Sequence, residues 1–388
     1  MYNVFKIITV LIFAGTSNAW AFKLSPCMRV LSLENGKLSQ QKIRWLKNQC
    51  DKVVAKKDLQ AVHEHMTLGA FLEYRANVPL KKTRYGWKYQ YMIEPDWSKK
   101  KGAPIHASHA IIFGTWWNDD PLMRTWGQGL NFIGGSLADL KILNDGRSTY
   151  PGGTKNCSVP ANVHLGRLSH FGELQHLHFM TNLKMKDSTP EERVKSTTDK
   201  AINWMSFAYK VAIGSLKPEQ TLTPEIERDV SFPSIARNHC VSDSKNAKIR
   251  TIFSRIGQSE SYRNQITPDV ALGSMLHVIQ DSFSPSHACR ILETGSQQAV
   301  LADVKNYNEQ NSDNHGSFDV YPQWLIQYAN ERKHLYENDP VAVGAWLLKA
   351  VDEKLPWEQV EVHLRNTIFA HQKSIDMTSN KSEFSCIK

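Results

Sequence analysis

A mostly α-helical single domain is what this sequence predicts, and three observations predict it. Apolar residues recur at three- and four-residue spacing through many segments, strand-like alternation is weak outside residues 80–115, and no repeat of fixed period is present. At 388 residues the chain is long enough to bury a large core.

The elements follow in order. Residues 40–57 carry Ile43, Leu46, Cys50, Val53 and Val54 at helical spacing, and residues 58–75 continue with Leu59, Val62, Met66 and Phe71. Residues 78–102 alternate aromatics and lysines without a period, as a loop or short hairpin would, and residues 105–117 read as partly buried. Residues 144–160 are rich in Gly, Pro and Ser and form a surface excursion. Thr189 followed by Pro190 caps and opens a helix that runs to Ile213. Another helix is expected at residues 243–255. Thr267-Pro268-Asp269 starts a central one, and late helices fall at residues 321–336, 340–353 and 357–373.

The first twenty-one residues have the form of an export signal. Lys6 gives a positive start, residues 7–14 are apolar, and small residues lead to Ala19 and Ala21. The expected mature chain, residues 22–388, is then a secreted or periplasmic protein of a bacterial type, and no stretch approaches a transmembrane length. The formal charge of +9 becomes +8 once Lys6 is removed with the signal, a modest excess that suits polyanions such as an anionic lipid surface or nucleic acid. Six cysteines (Cys27, Cys50, Cys157, Cys240, Cys289 and Cys386) fit an oxidising compartment. Their scatter argues against a cysteine zinc site, and a Cys27–Cys50 bridge is the first expectation for clipping the N-terminal arm.

The chemistry concentrates in Leu276-His277-Val278-Ile279-Gln280-Asp281-Ser282-Phe283-Ser284-Pro285-Ser286-His287. On a helix, His277 and Asp281 project from one face, and Pro285 turns the chain so that His287 can return toward them. Two imidazoles and a carboxylate are the donors that a divalent transition metal takes, with zinc the best match. Other donors sit at useful spacings. His315 and Asp319 repeat the four-residue step, though Asp319 also reads as a helix cap. His63 follows the apolar Val62, whereas His65 reads as solvent-facing. Asp119 and Asp120 lie beside Trp116 and Trp117. Ser169-His170-Phe171 and Leu177-His178-Phe179 each offer one more imidazole.

Taken in order, these pieces resemble the zinc-dependent phospholipase C and single-strand-specific zinc nuclease superfamily. Its His-x3-Asp-x5-His hallmark is matched by His277, Asp281 and His287, and its following His-x3-Glu or His-x3-Asp by His315 and Asp319. The upstream histidine context looks like His63-Glu64-His65-Met66-Thr67. An aspartate about five residues after a glycine is matched by Gly114 and Asp119, with Asp120 as the alternative. The His-Phe dipeptide is matched by His178-Phe179, with His170-Phe171 as its rival.

The resemblance implies a multi-helix bundle with long loop insertions, and two or three zinc ions in a cleft. Asp119, His178, His277 and Asp281 would hold one ion. His287, His315 and Asp319 would hold a second. His63 would share a third with Asp281 and with the mature N-terminus. The family's terminal tryptophan is matched by Trp20 if cleavage follows Ala19; cleavage after Ala21 exposes Phe22 instead. Trp20 also lies 43 residues before His63, farther than is usual in the family.

By the same resemblance Asp119 is the general base. The implied activity is phospholipase C hydrolysis of a phospholipid at a membrane surface, releasing diacylglycerol and a phosphorylated headgroup. The aromatics of residues 85–97 and Trp116-Trp117 would line an acyl-facing mouth or belong to the core. A single-strand-specific nuclease with the same zinc site is the nearest rival, and Asp319 rather than Glu leans that way. A non-catalytic secreted binding protein with a structural zinc cluster is the rival of another class.

Overall fold

The computed structural model describes residues 62–77, 109–119, 168–223, 226, 248–253, 260–293, 295–310 and 322–371. These residues are mostly helical, with one small sheet. In chain order the helices are α1 (Val62–Asn77), α2 (His109–Trp117), α3 (Pro190–Ala212), α4 (Ile249–Phe253) and α5 (Glu260–Asp281). The strands β1 (Ala288–Leu292) and β2 (Ala299–Val304) follow, and then α6 (Gln323–Glu331), α7 (Pro340–Glu353) and α8 (Trp357–Asn366).

Helix α5 is the axis of the core. From Ile266 to Asp281 nearly every residue is buried, Pro268 being the exception, so helices cover it on all sides. The expected start at Thr267 is corrected: the helix extends back to Glu260 and passes through Pro268. Proline lacks the N–H for one ladder bond, and the Thr267 hydroxyl donates to Arg263 O at 2.7 Å in that same turn.

Helix α2 crosses α5 at two glycines. A Cβ on Gly273 would lie 2.1 Å from Ile111 O and 2.5 Å from the Gly114 Cα, so only glycine on both helices permits this approach. On another side, Trp204 of α3 donates its indole N–H to Ser274 Oγ at 3.0 Å, and its ring stacks on Trp117 of α2 with centroids 5.1 Å apart. Helix α7 packs on α1, where Gly344 lets the Ala70 methyl approach.

The expected Thr189 cap is present, and the structure adds two caps that sequence reasoning did not name, from Glu192 and Asp339. Thr189 and Glu192 form a capping box at the start of α3, with Pro190 in the first turn. Asp339 caps α7 by accepting from Val341 N and Ala342 N at 2.9 and 3.0 Å. The expected helix at residues 340–353 is found with those bounds, those at 321–336 and 357–373 are found shorter, and of the one expected at 243–255 the described residues show Ile249–Phe253.

The described residues are mostly helical as expected, and one strand pair was not foreseen. Residues 109–115, the described end of the stretch where alternation is strongest, belong to a helix, and the strands among the described residues lie at 288–304. Ala288-Cys289-Arg290 and Ala299-Val300-Leu301-Ala302 are buried on both faces, which erases the period-two signal. The pair is antiparallel, with a register shift between Cys289 and Arg290. Arg193 of α3 clasps the hairpin with a two-pronged bond to Asp303, at 2.8 and 2.7 Å. No helix among the described residues is long and apolar enough to cross a membrane.

Residues 1–61 and 372–388 lie outside the described residues, and with them the export signal, Trp20, Phe22, the Cys27–Cys50 pair and the helix expected at residues 40–57. The aromatic stretch at 78–102 and the excursion at 144–160 lie outside them too.

Candidate metal centre

The last turn of α5 supplies the first two donors. His277 and Asp281 are both fully buried, and His277 Nε2 stands 2.8 Å from Asp281 Oδ2. Beyond Asp281 the chain turns through Ser282 and Phe283, and His287 N bonds Ser284 O at 2.9 Å. That turn returns the His287 ring to the cluster, with Nδ1 3.5 Å from Asp281 Oδ2. Pro285 thus separates two donors that the chain then brings back together.

Three further segments close around them. Helix α1 delivers His63, whose Nε2 is 3.3 Å from Asp281 Oδ1 and whose ring stacks on His277 with centroids 4.3 Å apart. Just past α2, Asp119 lies 3.8 Å from His178 Nδ1 and 3.9 Å from His277 Nδ1. The 3-10 turn Gln175–His178 brings His178 to 3.0 Å from Asp281 Oδ2. A helical turn ending at Phe171 adds His170, its ring centroid 4.6 Å from that of His178. The donor atoms fall into two groups of three, His63 with His277 and Asp281, and Asp119 with His170 and His178. Within each group all lie within 4.8 Å of one another.

The orientation of each ring is set by what its other nitrogen does. His277 Nδ1 donates to Thr115 O at 2.6 Å, which turns Nε2 toward Asp281. His63 Nδ1 donates to Gln280 Oε1 at 2.7 Å, while the Gln280 amide donates to Thr67 Oγ1 at 2.8 Å and so fixes which end accepts. His287 Nδ1 donates to His178 O at 2.6 Å. In all three the Nδ1 proton is committed to an oxygen, leaving Nε2 as the basic nitrogen, as in histidines that bind metals. His178 departs from this pattern, with Nδ1 rather than Nε2 toward Asp281.

Burial sets the charges. It holds the His287 imidazole down at about 4, and holds His178 well below the ordinary histidine range with help from the neighbouring His170. Burial pushes the Asp281 carboxyl the other way, but the imidazoles of His277 and His287 outweigh it and keep the group well below the usual carboxylate range. The cluster therefore combines a buried carboxylate that favours its anionic form with two imidazoles, His178 and His287, that burial holds toward the neutral form. Four imidazoles, and no lysine or arginine among the described residues, meet Asp281. A buried carboxylate ringed by imidazole nitrogens is a site a cation would satisfy, and this N/O donor set fits zinc or a similar transition metal.

Six of the expected ligands, His63, Asp119, His178, His277, Asp281 and His287, come together in this one cluster. Asp120, His315 and Asp319 lie outside the described residues. His170 and His178 were alternatives for one position, yet both reach the cluster. The expectation for His65 is corrected: it is fully buried, and that burial lowers its pKa to about 4. Sequence reasoning missed Gln280, Thr115 and Tyr307. Gln280 sits three residues beyond His277, a spacing that could have marked it. Thr115 acts through its carbonyl, which no side chain announces. Tyr307 packs its ring 5.2 Å from His170 and 5.7 Å from His287, and nothing in its local sequence signals that. Comparison with family models, curated proteins and solved structures yields no match to this chain, so the case for a metal here rests on these side chains themselves.

Proposed function

We propose that this chain is a secreted zinc-dependent phosphodiesterase of the phospholipase C type, built on a zinc phospholipase C-like helical bundle. The observation that carries the reading is the pairing of two three-donor groups, His63–His277–Asp281 and Asp119–His170–His178, in one buried cluster. Zinc bound there would neutralise phosphate oxygens, acidify bound water and stabilise the departing oxygen. The chain's own residues do the rest. Asp119, buried beside His178 and His277, accepts the proton of the attacking water. Asp281, a donor of the first group, also stands 3.0 Å from His178 of the second and so links the two. Thr115 O, Gln280 and His178 O hold the ring orientations. Donors fixed before substrate arrives cost little reorganisation during the reaction.

The substrate on this reading is a phospholipid phosphodiester at a membrane surface, cleaved on the glycerol side. The test incubates purified mature protein and zinc with choline- and glycerol-headgroup phospholipid vesicles, and separately with single-stranded DNA. Release of phosphorylated headgroup is expected, lost on chelation and restored by zinc. Asp119→Asn should cost about 10²–10⁴-fold in kcat, as loss of a general base does, and should weaken metal binding at the Asp119–His170–His178 group. Asp281→Asn should reduce metal content itself. Turnover of DNA and not lipid would replace the phospholipase reading with the nuclease one, and bound zinc with neither activity would favour the non-catalytic binding role.

A further inference from the structure

Arg290 is fully buried, and among the described residues no carboxylate meets it. A guanidinium in that position is costly unless its donors are satisfied. Here carbonyl and hydroxyl oxygens satisfy it. Nε donates to Ser282 O at 2.8 Å and Nη2 to Ser282 Oγ at 3.0 Å. Nη1 donates to Ala299 O at 2.7 Å, and Nη2 also to Ile368 O at 2.6 Å. The cation lies 4.0 Å over the Phe283 ring. Arg290 sits at the register shift between β1 and β2, where Cys289 pairs with Asp303 but Arg290 with Leu301. A bulge of this kind re-aims a side chain.

Two of the four bonds, and the ring contact, fall on Ser282 and Phe283. Those residues start the turn between Asp281 and His287. The rest of that turn is tied from elsewhere: Lys305 Nζ donates to Pro285 O at 2.8 Å, Lys305 N to His287 O at 2.8 Å, and Gln310 Nε2 to Ser286 O at 2.7 Å. Among the described residues, Arg290 joins its first residue to β2 and to the segment after α8.

We infer that Arg290 is a positioning residue for the metal centre: its guanidinium fixes the turn that sets the separation of Asp281 and His287. The planar fork is essential to this role, since lysine offers a point charge and cannot reach three segments at once. The inference rests on the metal reading above, and the test separates the two. Zinc affinity of the full mature chain is measured by competition with a chromogenic chelator, and the visible spectrum of the cobalt-substituted protein reports ligand geometry.

Arg290→Lys is expected to bind zinc about 10–100-fold more weakly, the usual effect of losing a residue that orients a ligand, and to shift the cobalt spectrum while helical circular dichroism is kept. A lowered Tm with zinc affinity and cobalt spectrum equal to wild type would overturn it and leave Arg290 merely structural. If Arg290→Lys fails to fold, Ser282→Ala decides the question. It removes one bond to the guanidinium, and it should weaken zinc binding severalfold or, by leaving binding and spectrum unchanged, overturn the inference. Wild-type protein that takes up no metal would sink the metal reading itself, and this inference with it.

Discussion

At the scale of single residues, histidine plays opposite parts in this molecule. His287 and His65 are buried as neutral rings, each held at about 4 by burial. His334 is half-buried between two carboxylates, Asp339 Oδ2 at 2.7 Å and Glu73 Oε2 at 2.9 Å. Burial alone would lower it, but those two hydrogen bonds raise it to about 10. The signs then follow from linkage. The buried neutral rings bind fewer protons folded than unfolded, so metal-free protein should lose stability as pH falls from about 6.5 toward 4. His334 binds its proton more tightly when folded, so its contribution is complete below about 6.5 and is lost as pH rises through about 10. Urea denaturation of the chelated protein should show both limbs, and His334→Gln should flatten the alkaline one while leaving the acid one. An unchanged alkaline limb would remove His334 from this role.

At the scale of elements, the crossing of α2 and α5 is the contact on which the site depends. Gly114 and Gly273 let the two backbones touch, and one turn away Thr115 O on α2 holds His277 on α5. Gly273→Ala should therefore do two things at once. Overpacking typically costs about 1–3 kcal/mol, and here the clash is with backbone, which cannot swing aside. The same displacement should weaken zinc binding, since it carries Thr115 O away from the His277 ring. Full zinc affinity in a destabilised Gly273→Ala protein would separate packing from orientation and refute the link.

These elements also show what a sequence can carry. Asp339-Pro340 and Thr189-Pro190 mark helix starts through local capping chemistry, and both helices begin where expected. Pro268 misled because its cost is local while the burial of α5 is a property of the whole core. The β1–β2 hairpin left no alternation to read, because both of its faces are covered. His277, Asp281 and His287 were legible because one helix turn and one proline fix their relation. His65 was misplaced because a helix face cannot be assigned as buried before its neighbours are known. Gly273 gave no sign of its partner, since a close approach is a fact about two helices.

At the scale of the whole molecule, the cluster draws donors from distant parts of the chain. His63 meets Gln280 across 217 positions, His277 meets Thr115 across 162, and His287 meets His178 across 109. Contacts of such separation form late, because loop closure must be met before they stabilise anything. Capture of metal in refolding should thus coincide with the final consolidation of the molecule and not precede it. Trp117 offers an internal clock, stacked on Trp204 behind the helix that carries His277. In stopped-flow refolding with a zinc indicator, the tryptophan signal should be nearly complete before zinc is taken up, and zinc uptake in the earliest phase would contradict this order. If the centre holds an ion as proposed, the wide spread of its donors along the chain would make it a proofreading device for assembly: only a chain whose separated parts have all met could bind the metal, so metal content would measure correctly finished molecules.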